Sequence, residues 1–458
     1  MALAVDFGDS DPMSKTHRTR RHVLAGLGAV LAAPAVVGRA SAAVGYISPY
    51  DFGLLDLHDG DQTAALQAAV DAAARAGQDL LLPTGEFTIS GLRLPGGIRI
   101  IGNARATALV SNDGQPVATV LDGRGLLIDG VSFFSTSTDA DLILGEGVED
   151  ATILNCMFSG DGIGIRAYLA SATIENCRFV ELRDAAIHSV DSNGGLIVRG
   201  NRIDRCSNAG VRIWREQQGH DGSIVTGNIV RGIDWVGGGN GQNGNGVNVY
   251  QADGVIVSDN VFSDCAFTAV RVNGGRNTQV RGNTCINSGE VAIFSEFEFS
   301  GSVIADNIID GAATGIDITN LDTGGYLASC TGNIVRNIFP KSAVNPDTVP
   351  VGIYAEADTI VANNVVENVP GVGIAAGYGP FVRNVSINSN VITGANIGIG
   401  VTVVNDPKVG KVHVSGNLIS GASVAGIAGL EWQNVVSADL AADAGRYPHV
   451  TVSDNTIG

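Results

Sequence analysis

The chain has few aromatic residues and very little lysine, and its acidic groups outnumber its basic ones. Phe, Tyr and Trp make up 5% of the 458 residues, and 28 basic side chains stand against 46 acidic ones. After residue 42 the lysines are Lys341, Lys408 and Lys411, which argues against a lysine base or a Schiff-base nucleophile. A formal net charge of −18 argues against a nucleic-acid backbone as partner.

Metal-binding motifs are also missing. The six cysteines form no CxxC pair and the seven histidines no HxxxH pair, so the sequence predicts no metal site and no cofactor. Calcium is the one ion that carboxylates on the surface would suit, but no fixed ligand spacing indicates it. The Gly-rich run Gly237–Gly246 lacks the Gly-Lys-Ser/Thr ending of a phosphate-binding loop. It is predicted to be a long turn instead.

A single long apolar run, Val23–Val37, lies near the N-terminus. It follows TRRHVL at residues 19–24, which resembles a twin-arginine export signal, and it precedes ASA at residues 40–42, which fits a small-x-small cleavage site. We therefore predict a signal peptide over residues 1–42, a periplasmic or extracellular mature protein, and no membrane span after cleavage. The acidic residues before Met13 do not suit such a signal, so translation is expected to start at Met13.

A short apolar stretch of the form I/V-x-x-N-x-I/V/F recurs from mid-chain to the C-terminus. Successive asparagines are 21 to 38 residues apart, a period typical of stacked repeats in which each unit packs on its neighbours. Alternating Val and Ile indicate strands. The anchors are Asn155, Asn176, Asn201, Asn228, Asn260, Asn283, Asn307, Asn333, Asn364, Asn390, Asn417 and Asn455.

These units predict an all-β fold, a right-handed parallel β-helix of about 12 or more coils. Coils of this kind stack about 4.8 Å apart, so a column of asparagines can pair its amides from coil to coil. A leucine-rich repeat has a similar period and also an Asn position. It would need Leu-dominated units with a helix or 3₁₀ turn, whereas Ile and Val dominate here.

An alanine-rich segment precedes the repeats and is predicted to be a helix over residues 61–76. Asp61 is a suitable N-cap and Gly77 a suitable stop, and the apolar stripe is Leu66, Ala69, Val70 and Ala73. Because a solenoid needs a cover over its open end, this helix is expected to be the cap. The predicted organisation is then a signal peptide (1–42), a leading segment with the capping helix (43–78) and β-helix repeats (79–458).

The residues around this helix resemble the start of pectate-lyase-like β-helix proteins. The resemblance is carried by Asp59-Gly60, Thr63, Leu82-Pro83, Gly85, Phe87, Ile89 and Ile101-Gly102. The whole chain also resembles a family of twin-arginine-translocated repeat proteins of unknown function, through Arg212–Arg215, Gly241–Gly246, Ala266–Arg271, Glu296–Phe299 and Ala355–Asp358. The resemblance implies the β-helix fold and export. It implies no reaction, because this fold hosts lyases, hydrolases, epimerases, adhesins and phage fibres.

The second strand of each unit starts at a small residue, which allows the coils to be aligned. The third and fifth positions then face outward, because side chains alternate along a strand. The first outward column is Arg166, His188, Arg212, Asn248, Arg271, Phe294, Asp317 and Tyr354. The second is Tyr168, Val190, Trp214, Tyr250, Asn273, Glu296, Thr319 and Glu356.

This stripe is predicted to bind an extended polysaccharide. Aromatic faces suit sugar rings, and amide or guanidinium groups suit hydroxyls and carboxylates. The expected substrate-binding residues are Trp214, Asn248, Tyr250, Asn273, Phe294, Tyr354 and Glu356. Aromatic side chains standing exposed on one face would otherwise need another explanation.

Two chemistries compete for the catalytic residues. Glu296 and Asp317 lie diagonally on adjacent coils, about 7–8 Å apart, which suits an inverting glycoside hydrolase. A uronate lyase or epimerase would instead use Arg212 and Arg271 as clamps for the substrate carboxylate, with His188 or His220 as base. A non-catalytic surface or envelope protein that binds glycan along the same stripe is the alternative to both. The oligomeric state is not predicted.

Overall fold

The computed structural model describes residues 45–56, 60–104, 106–137, 140–239 and 241–458. The expected signal peptide lies outside these residues. No helix within them is both long and apolar enough to cross a membrane. The described chain is a parallel β-solenoid, so the predicted fold class is confirmed.

Each coil of the solenoid contributes strands to three faces. The first face, whose strands lead into the asparagine positions, is a sheet of 16 parallel strands within the described residues. These strands are Tyr46–Ile47, Asp79–Leu81, Arg99–Ile101, Leu127–Asp129, Ala151–Leu154, Ala172–Glu175, Leu196–Arg199, Ile224–Thr226, Ile256–Ser258, Gln279–Arg281, Ser300–Ala305, Tyr326–Thr331, Ala357–Ala362, Arg383–Asn388, Val412–Ser415 and Val450–Ser453.

The second face follows the asparagine positions, and the third face carries the aligned outward columns. In four coils one continuous strand serves both faces, namely Thr284–Glu296, Ile308–Ile318, Val365–Ala376 and Val391–Thr402. The other second-face strands are Gly85–Thr88, Thr107–Ser111, Ser132–Ser135, Met157–Ser159, Arg178–Val180, Arg202–Asp204, Ile229–Ile233, Val261–Cys265, Ile334–Ile338, Leu418–Ser420 and Thr456–Ile457. The other third-face strands are Leu92–Leu94, Ala118–Arg124, Ile143–Glu149, Ile165–Tyr168, Ala185–Val190, Ala209–His220, Asn245–Asp253, Val270–Asn273, Val351–Ala355, Ala425–Glu431 and Asn434–Ser437.

One core runs along the inside of all three faces. It is formed mainly by Val, Ile and Ala at alternate strand positions, which is why the period of two is so regular in the sequence. Phenylalanines replace them near the N-terminal end, where the Phe158 ring stacks between Phe133 and Phe179 with centroid distances of 5.3 and 4.7 Å. Neighbouring coils therefore bury each other's apolar side chains, and a single coil has no core of its own.

A buried ladder of asparagine side chains runs from Asn201 to Asn455. At each of nine links in the described chain, Nδ2 donates to Oδ1 of the next asparagine over 2.8–3.0 Å. The same Oδ1 also accepts the backbone N–H of the preceding asparagine. The predicted pairing of amides between coils is confirmed over this range.

Asn155 and Asn176 do not belong to this ladder, so their assignment as anchors was wrong by one residue. The strand register places Cys177 opposite Asn201 and Cys156 opposite Cys177. The Cys177 backbone N–H donates to Asn201 Oδ1 over 2.8 Å. Asn155 and Asn176 instead occupy the left-handed turn position, with φ of 52° and 54°, where asparagine is tolerated because of its short polar side chain.

Helices lie at the ends of the solenoid. The capping helix is Thr63–Ala76, and its buried stripe is the predicted one of Leu66, Ala69, Val70 and Ala73. Gly77 ends it with φ of 61°, a left-handed conformation that suits glycine. Near the C-terminus a short helix spans Leu440–Asp443 and is followed by a 3₁₀ turn over Ala444–Arg446. Two other 3₁₀ turns span Pro49–Phe52 and Leu321–Thr323.

Candidate functional site

The third face pairs its strands in the register predicted from the sequence. Arg166 lies opposite His188, and the first column then continues through Arg212, Asn248, Arg271, Phe294, Asp317 and Tyr354. The second column likewise places Trp214 beside Tyr250, then Asn273 and Glu296. Beyond Tyr354 the first column continues with Ala375, Gly400 and Ala428.

Most of this face is not open to solvent, which differs from the expectation of an exposed stripe. His188, Arg212, Asn248, Arg271, Glu296 and Glu356 are buried. Trp214, Tyr250, Phe294, Asp317, Tyr354 and Asn273 are partly exposed. The reason is that two loops, described next, fold back over the strands and leave an opening over only part of the face.

The Gly-rich loop, described at residues 237–239 and 241–246, covers the face between Arg212 and Arg271. Arg212 donates to Asn243 Oδ1 over 2.8 Å, and Asn248 Nδ2 donates to the Gly241 carbonyl over 3.1 Å. A Cβ on Gly241 would lie 2.3 Å from the Arg271 guanidinium carbon. Only glycine at position 241 therefore lets the backbone approach Arg271 this closely.

A second loop, residues 339–350, closes the face on the side of Glu290. Ser342 Oγ donates to the Gly289 carbonyl over 2.7 Å, and Asn345 Nδ2 donates to Glu290 Oε1 over 2.8 Å. Glu290 is itself buried and also accepts from Thr268 Oγ1 over 3.2 Å. The loop thus holds a carboxylate in place above the strands.

Arg271 binds two of these buried carboxylates. Its Nε and Nη2 donate to the two Glu296 oxygens over 2.5 and 2.8 Å, and its Nη1 donates to Glu290 Oε2 over 3.0 Å. Asn273 Nδ2 adds a hydrogen bond to Glu296 Oε1 over 3.0 Å. Burial raises the pKa of Glu296 against the opposing charge of Arg271. The guanidinium also lies 5.0 Å from the centre of the Phe294 ring.

Asp317 and Glu356 are acids with strongly raised pKa values. Burial, aided by the charges of Glu296 and Glu290, raises the pKa of Asp317 to about 7, although a hydrogen bond with Thr319 opposes the shift. Asp317 Oδ1 is buried and has no hydrogen-bond partner. Burial likewise raises the pKa of Glu356 to about 8, with Asp317 adding to the shift, although the Leu321 N–H donates to Glu356 Oε2 over 2.8 Å. Near pH 7, Glu356 is therefore mostly protonated and Asp317 is about half protonated.

Tyr354 stands between these two acids on the third face. It pairs with Asp317 in the ladder and precedes Glu356 by two residues. Burial raises its pKa well above the ordinary value, and the charges of Glu356 and Asp317 add to the shift. Its phenol therefore stays protonated. Together, Glu296, Asp317, Tyr354 and Glu356 form the acid cluster of this face.

His188 lies four coils from Phe294 and is buried without a hydrogen-bond partner at either ring nitrogen. Burial lowers its pKa to about 3, and the charges of Arg212 and Arg166 add to that effect. Its ring contacts Trp214 edge-on at a centroid distance of 4.9 Å. Arg212 is held by Asp184 over 2.9 and 3.2 Å. Neither residue is free to receive a substrate group in this conformation.

Aromatic rings continue along the second column. Trp214 and Tyr250 lie edge to face at 6.1 Å, and Trp214 Nε1 donates to Asn248 Oδ1 over 3.2 Å. Both rings are partly exposed. Of the expected substrate-binding residues, these two, Phe294 and Tyr354 therefore have surface to offer a ligand, whereas Asn248 is engaged with the Gly-rich loop.

No group of three or more His, Cys, Asp or Glu side chains in the described part of the chain is arranged to hold a metal ion. The carboxyl groups of the acid cluster are instead compensated by Arg271 and by retained protons.

Sequence reasoning missed three residues that complete the site. Asp184, Asn243 and Glu290 lie outside the aligned strands, in segments that precede the small first residue of a coil. Each contacts an arginine of the first column. An available signal was charge balance, since a buried arginine requires an acidic partner, but the sequence did not show which acidic residue outside the aligned positions would reach it.

The family model that describes a right-handed β-helix region matches residues 97–242 and 221–375. Among solved structures, the catalytic unit of a thermostable GH87 α-1,3-glucanase from Streptomyces thermodiastaticus strain HF3-3 is similar, with a TM-score of 0.51 and 15% identity, covering 92% of this chain and 70% of that one. The N-terminal fragment of bacteriophage Phi29 gene product 12 has a TM-score of 0.53 and 12% identity, covering 83% and 68%. At these identities the likeness concerns the fold. A search of curated protein sequences finds no match.

Proposed function

The chain belongs to the right-handed β-helix family, and we propose that it binds a polysaccharide along its third face and cleaves a glycosidic bond at the Glu296–Asp317 pair. The observation that carries the proposal is the pair's contrast in environment. Glu296 is bound bidentately by a guanidinium, whereas Asp317 has an unpartnered buried oxygen and a pKa of about 7. Two carboxyl groups in contrasting environments, one paired with a cation and one without a partner, are what acid–base hydrolysis requires.

The environments of the two carboxyl groups assign Asp317 as the acid and Glu296 as the base. Protonated Asp317 donates its proton to the glycosidic oxygen as the bond to the anomeric carbon breaks. Glu296, whose negative charge Arg271 stabilises, takes a proton from the water that attacks the same carbon from the other side of the ring. Diagonal positions on adjacent strands separate such groups by about 7–8 Å, which leaves room for the water and gives inversion at the anomeric carbon. Glu356 retains its own proton and so adds no further negative charge.

Access to Asp317 is provided by a partly exposed row of the first column. Phe294, Asp317 and Tyr354 lie on three successive strands and each keeps some exposure. Trp214 and Tyr250 extend the row of rings toward the N-terminus. A ring face on either side of the acid cluster suits a chain of sugars that runs parallel to the solenoid axis.

The lyase or epimerase alternative receives less support. A carboxylate clamp needs an arginine with free donors, but Arg271 binds Glu296 and Glu290, and Arg212 binds Asp184 and Asn243. A base must bind a proton near neutral pH, whereas the pKa of His188 is about 3. His220, the other candidate, is exposed at the end of the strand Ala209–His220, three coils before Phe294.

We also propose that the protein is exported through the twin-arginine route and meets its polysaccharide in the periplasm or outside the cell. The TRRHVL stretch and the small-x-small site of residues 1–42 support this. A fusion of residues 1–42 to a reporter that is active only after export tests it. Replacing Arg20 and Arg21 by Lys should abolish export, and unchanged export of that variant would contradict the route.

Incubation of the mature protein with a polysaccharide panel tests the hydrolase. The panel includes polygalacturonate, alginate, laminarin, cellulose and α-1,3-glucan, the last because an α-1,3-glucanase shares the fold. New reducing ends without absorbance near 235 nm are expected for the wild type, and these reducing ends should be absent with Asp317→Asn and with Glu296→Gln. Rising absorbance near 235 nm would show elimination and overturn the hydrolase. Binding without any cleavage would support the non-catalytic glycan-binding protein.

A further inference from the structure

A hairpin near the C-terminal end of the third face departs from the parallel repeat. Ala425–Glu431 runs antiparallel to Asn434–Ser437, and Trp432 and Gln433 form the turn between them. Two-residue turns of this kind favour glycine or asparagine, because they need positive φ. Trp432 nevertheless has φ of 57°, and 49% of its surface is exposed. The chain thus places its largest apolar side chain at a strained, exposed position.

Several contacts hold this ring in place. A Cβ on Gly379 would lie 2.4 Å from Trp432 Cζ3, so the indole packs directly on glycine backbone. Thr402 Oγ1 donates to the Gly379 carbonyl over 2.5 Å and fixes that backbone. Tyr378 meets the indole edge to face at a centroid distance of 4.9 Å and is itself 37% exposed. The two rings are therefore preorganised without being buried.

The pair is continuous with the acid cluster. Tyr378 directly follows Gly377, whose N–H donates to the Ala355 carbonyl in the coil of Glu356. Between the cluster and Trp432 the first column holds only Ala375, Gly400 and Ala428. These small residues are buried, and Leu430 and Val372 pack over Gly400, so the face between the cluster and the two rings is apolar. The coil of Trp432 lies three coil steps beyond that of Glu356, about 14 Å along the axis.

We propose that Tyr378 and Trp432 form a second sugar-stacking subsite, at which a ring of the polysaccharide rests while the acid cluster acts about three coils away. The proposal rests on the proposed polysaccharide binding. The second subsite extends that function. A polysaccharide held by Trp214 and Tyr250 on one side of the acid cluster and by Trp432 on the other is cut internally and not at its end.

Backbone strain gives this subsite a distinctive test. Replacing Trp432 by Asn removes the ring and supplies a residue that tolerates positive φ, so the variant is expected to melt at the same or a higher temperature and yet bind polysaccharide more weakly. Leu169→Asn is the matched control, because Leu169 also has positive φ (49°) and 54% exposure but lies at the other end of the third face. Trp432→Phe keeps a ring and should recover part of the binding.

The measurement is affinity electrophoresis in gels cast with polygalacturonate, carboxymethylcellulose, laminarin or carboxymethyl α-1,3-glucan. The wild type is expected to be retarded in at least one gel, Leu169→Asn equally, and Trp432→Asn only at about tenfold higher polymer concentration. Equal retardation of Trp432→Asn in every gel would overturn the subsite and leave the proposed function standing. A wild type that no gel retards would overturn polysaccharide binding itself.

An apolar surface for protein contact is the competing explanation, because Val435 and Val436 beside the turn are 40% and 42% exposed. Light scattering distinguishes the two. A wild-type dimer that Trp432→Asn disrupts, with unchanged gel retardation, would assign the patch to a second copy of the chain and overturn the subsite.

Discussion

Arg271 and Glu296 are joined by two hydrogen bonds of 2.5 and 2.8 Å between side chains that are both almost wholly buried. This bidentate geometry is the strongest form of an arginine–carboxylate contact. It fixes the carboxylate on the second column and at the same time removes the guanidinium from the set of groups that a substrate would reach. The same contact therefore supports Glu296 as the proposed catalytic base and counts against Arg271 as the predicted clamp.

Replacing Arg271 by Met should destabilise the protein strongly, because Glu296 and Glu290 would both be left buried without their cation. Breaking a buried pair in this way costs about 3–5 kcal/mol. Arg336→Met is the control, since the pair Arg336–Asp310 is well exposed and is worth under about 1 kcal/mol. Urea unfolding at neutral pH measures both. Equal losses for the two variants would contradict the buried pair.

Asp317→Asn should remove activity and make the folded protein less sensitive to pH. In the wild type the pKa of Asp317 is about 7 when folded and near 4 when unfolded. The stabilising contribution of its retained proton is therefore complete below about pH 4 and is lost as the pH rises through 7. The stability of Asp317→Asn relative to wild type should increase over that window, by at most about 4 kcal/mol.

Thermal unfolding of both proteins between pH 4 and 8 tests this difference. Ile316→Asp is the contrasting variant, because Ile316 faces the core and is fully buried, so a charge there should prevent folding. A pH-independent difference between Asp317→Asn and wild type would show that the acid is ionised throughout. Retained hydrolysis by Asp317→Asn would remove it from the mechanism.

His188→Phe should leave activity intact and keep or raise stability. Both ring nitrogens of His188 are buried without partners, and replacing such a group by an apolar ring removes the cost of its desolvation. The edge contact with Trp214 can be kept by a phenyl ring. Initial rates on the polysaccharide and the melting temperature are the measurements. A hundredfold or larger drop in kcat would restore His188 as a base, since that is the usual size of the effect.

Asn283→Ala should cost more stability than any exposed substitution in the same coil. The Asn283 side chain accepts from the Asn260 amide and backbone and donates to Asn307 and to the Val257 carbonyl. Each buried group left unpaired costs about 1–3 kcal/mol. Asn176→Gly is the control, because this asparagine lies outside the ladder and has φ of 54°, which glycine adopts freely. Similar melting temperatures for the two variants would mean that the ladder is not stabilising.

The fold and the strand register were readable from the sequence because they depend on short-range periodicity. Valine or isoleucine at alternate positions identifies the inward side of each strand, and one small residue per coil aligns neighbouring strands, as Ile293, Ile316 and Ile353 show. The asparagine pattern failed only at Asn155 and Asn176. In these two coils the asparagine occupies the left-handed turn position, and the next residue, Cys156 or Cys177, occupies the ladder position. Asparagine suits both positions, so the sequence alone does not distinguish them.

The two loops that cover the third face could not be predicted from the sequence, because their positions depend on contacts between distant segments. Asn345 reaches Glu290 across 55 residues of chain, and Asn243 reaches Arg212 across 31. No local pattern encodes where a loop of this kind folds back. The alternation of side chains shows which residues point away from the core, but it does not show whether water or another loop meets them there.

The asparagine ladder also has a direction. Each amide except the last, Asn455, donates an Nδ2 hydrogen to the asparagine of the next coil, and each Oδ1 accepts from the coil before it, so nine side-chain hydrogen bonds join ten amides head to tail along the solenoid axis. Hydrogen bonds in such a row polarise one another in a medium of low dielectric constant. The interior of the solenoid therefore contains a row of side-chain hydrogen bonds that all point toward its C-terminal end.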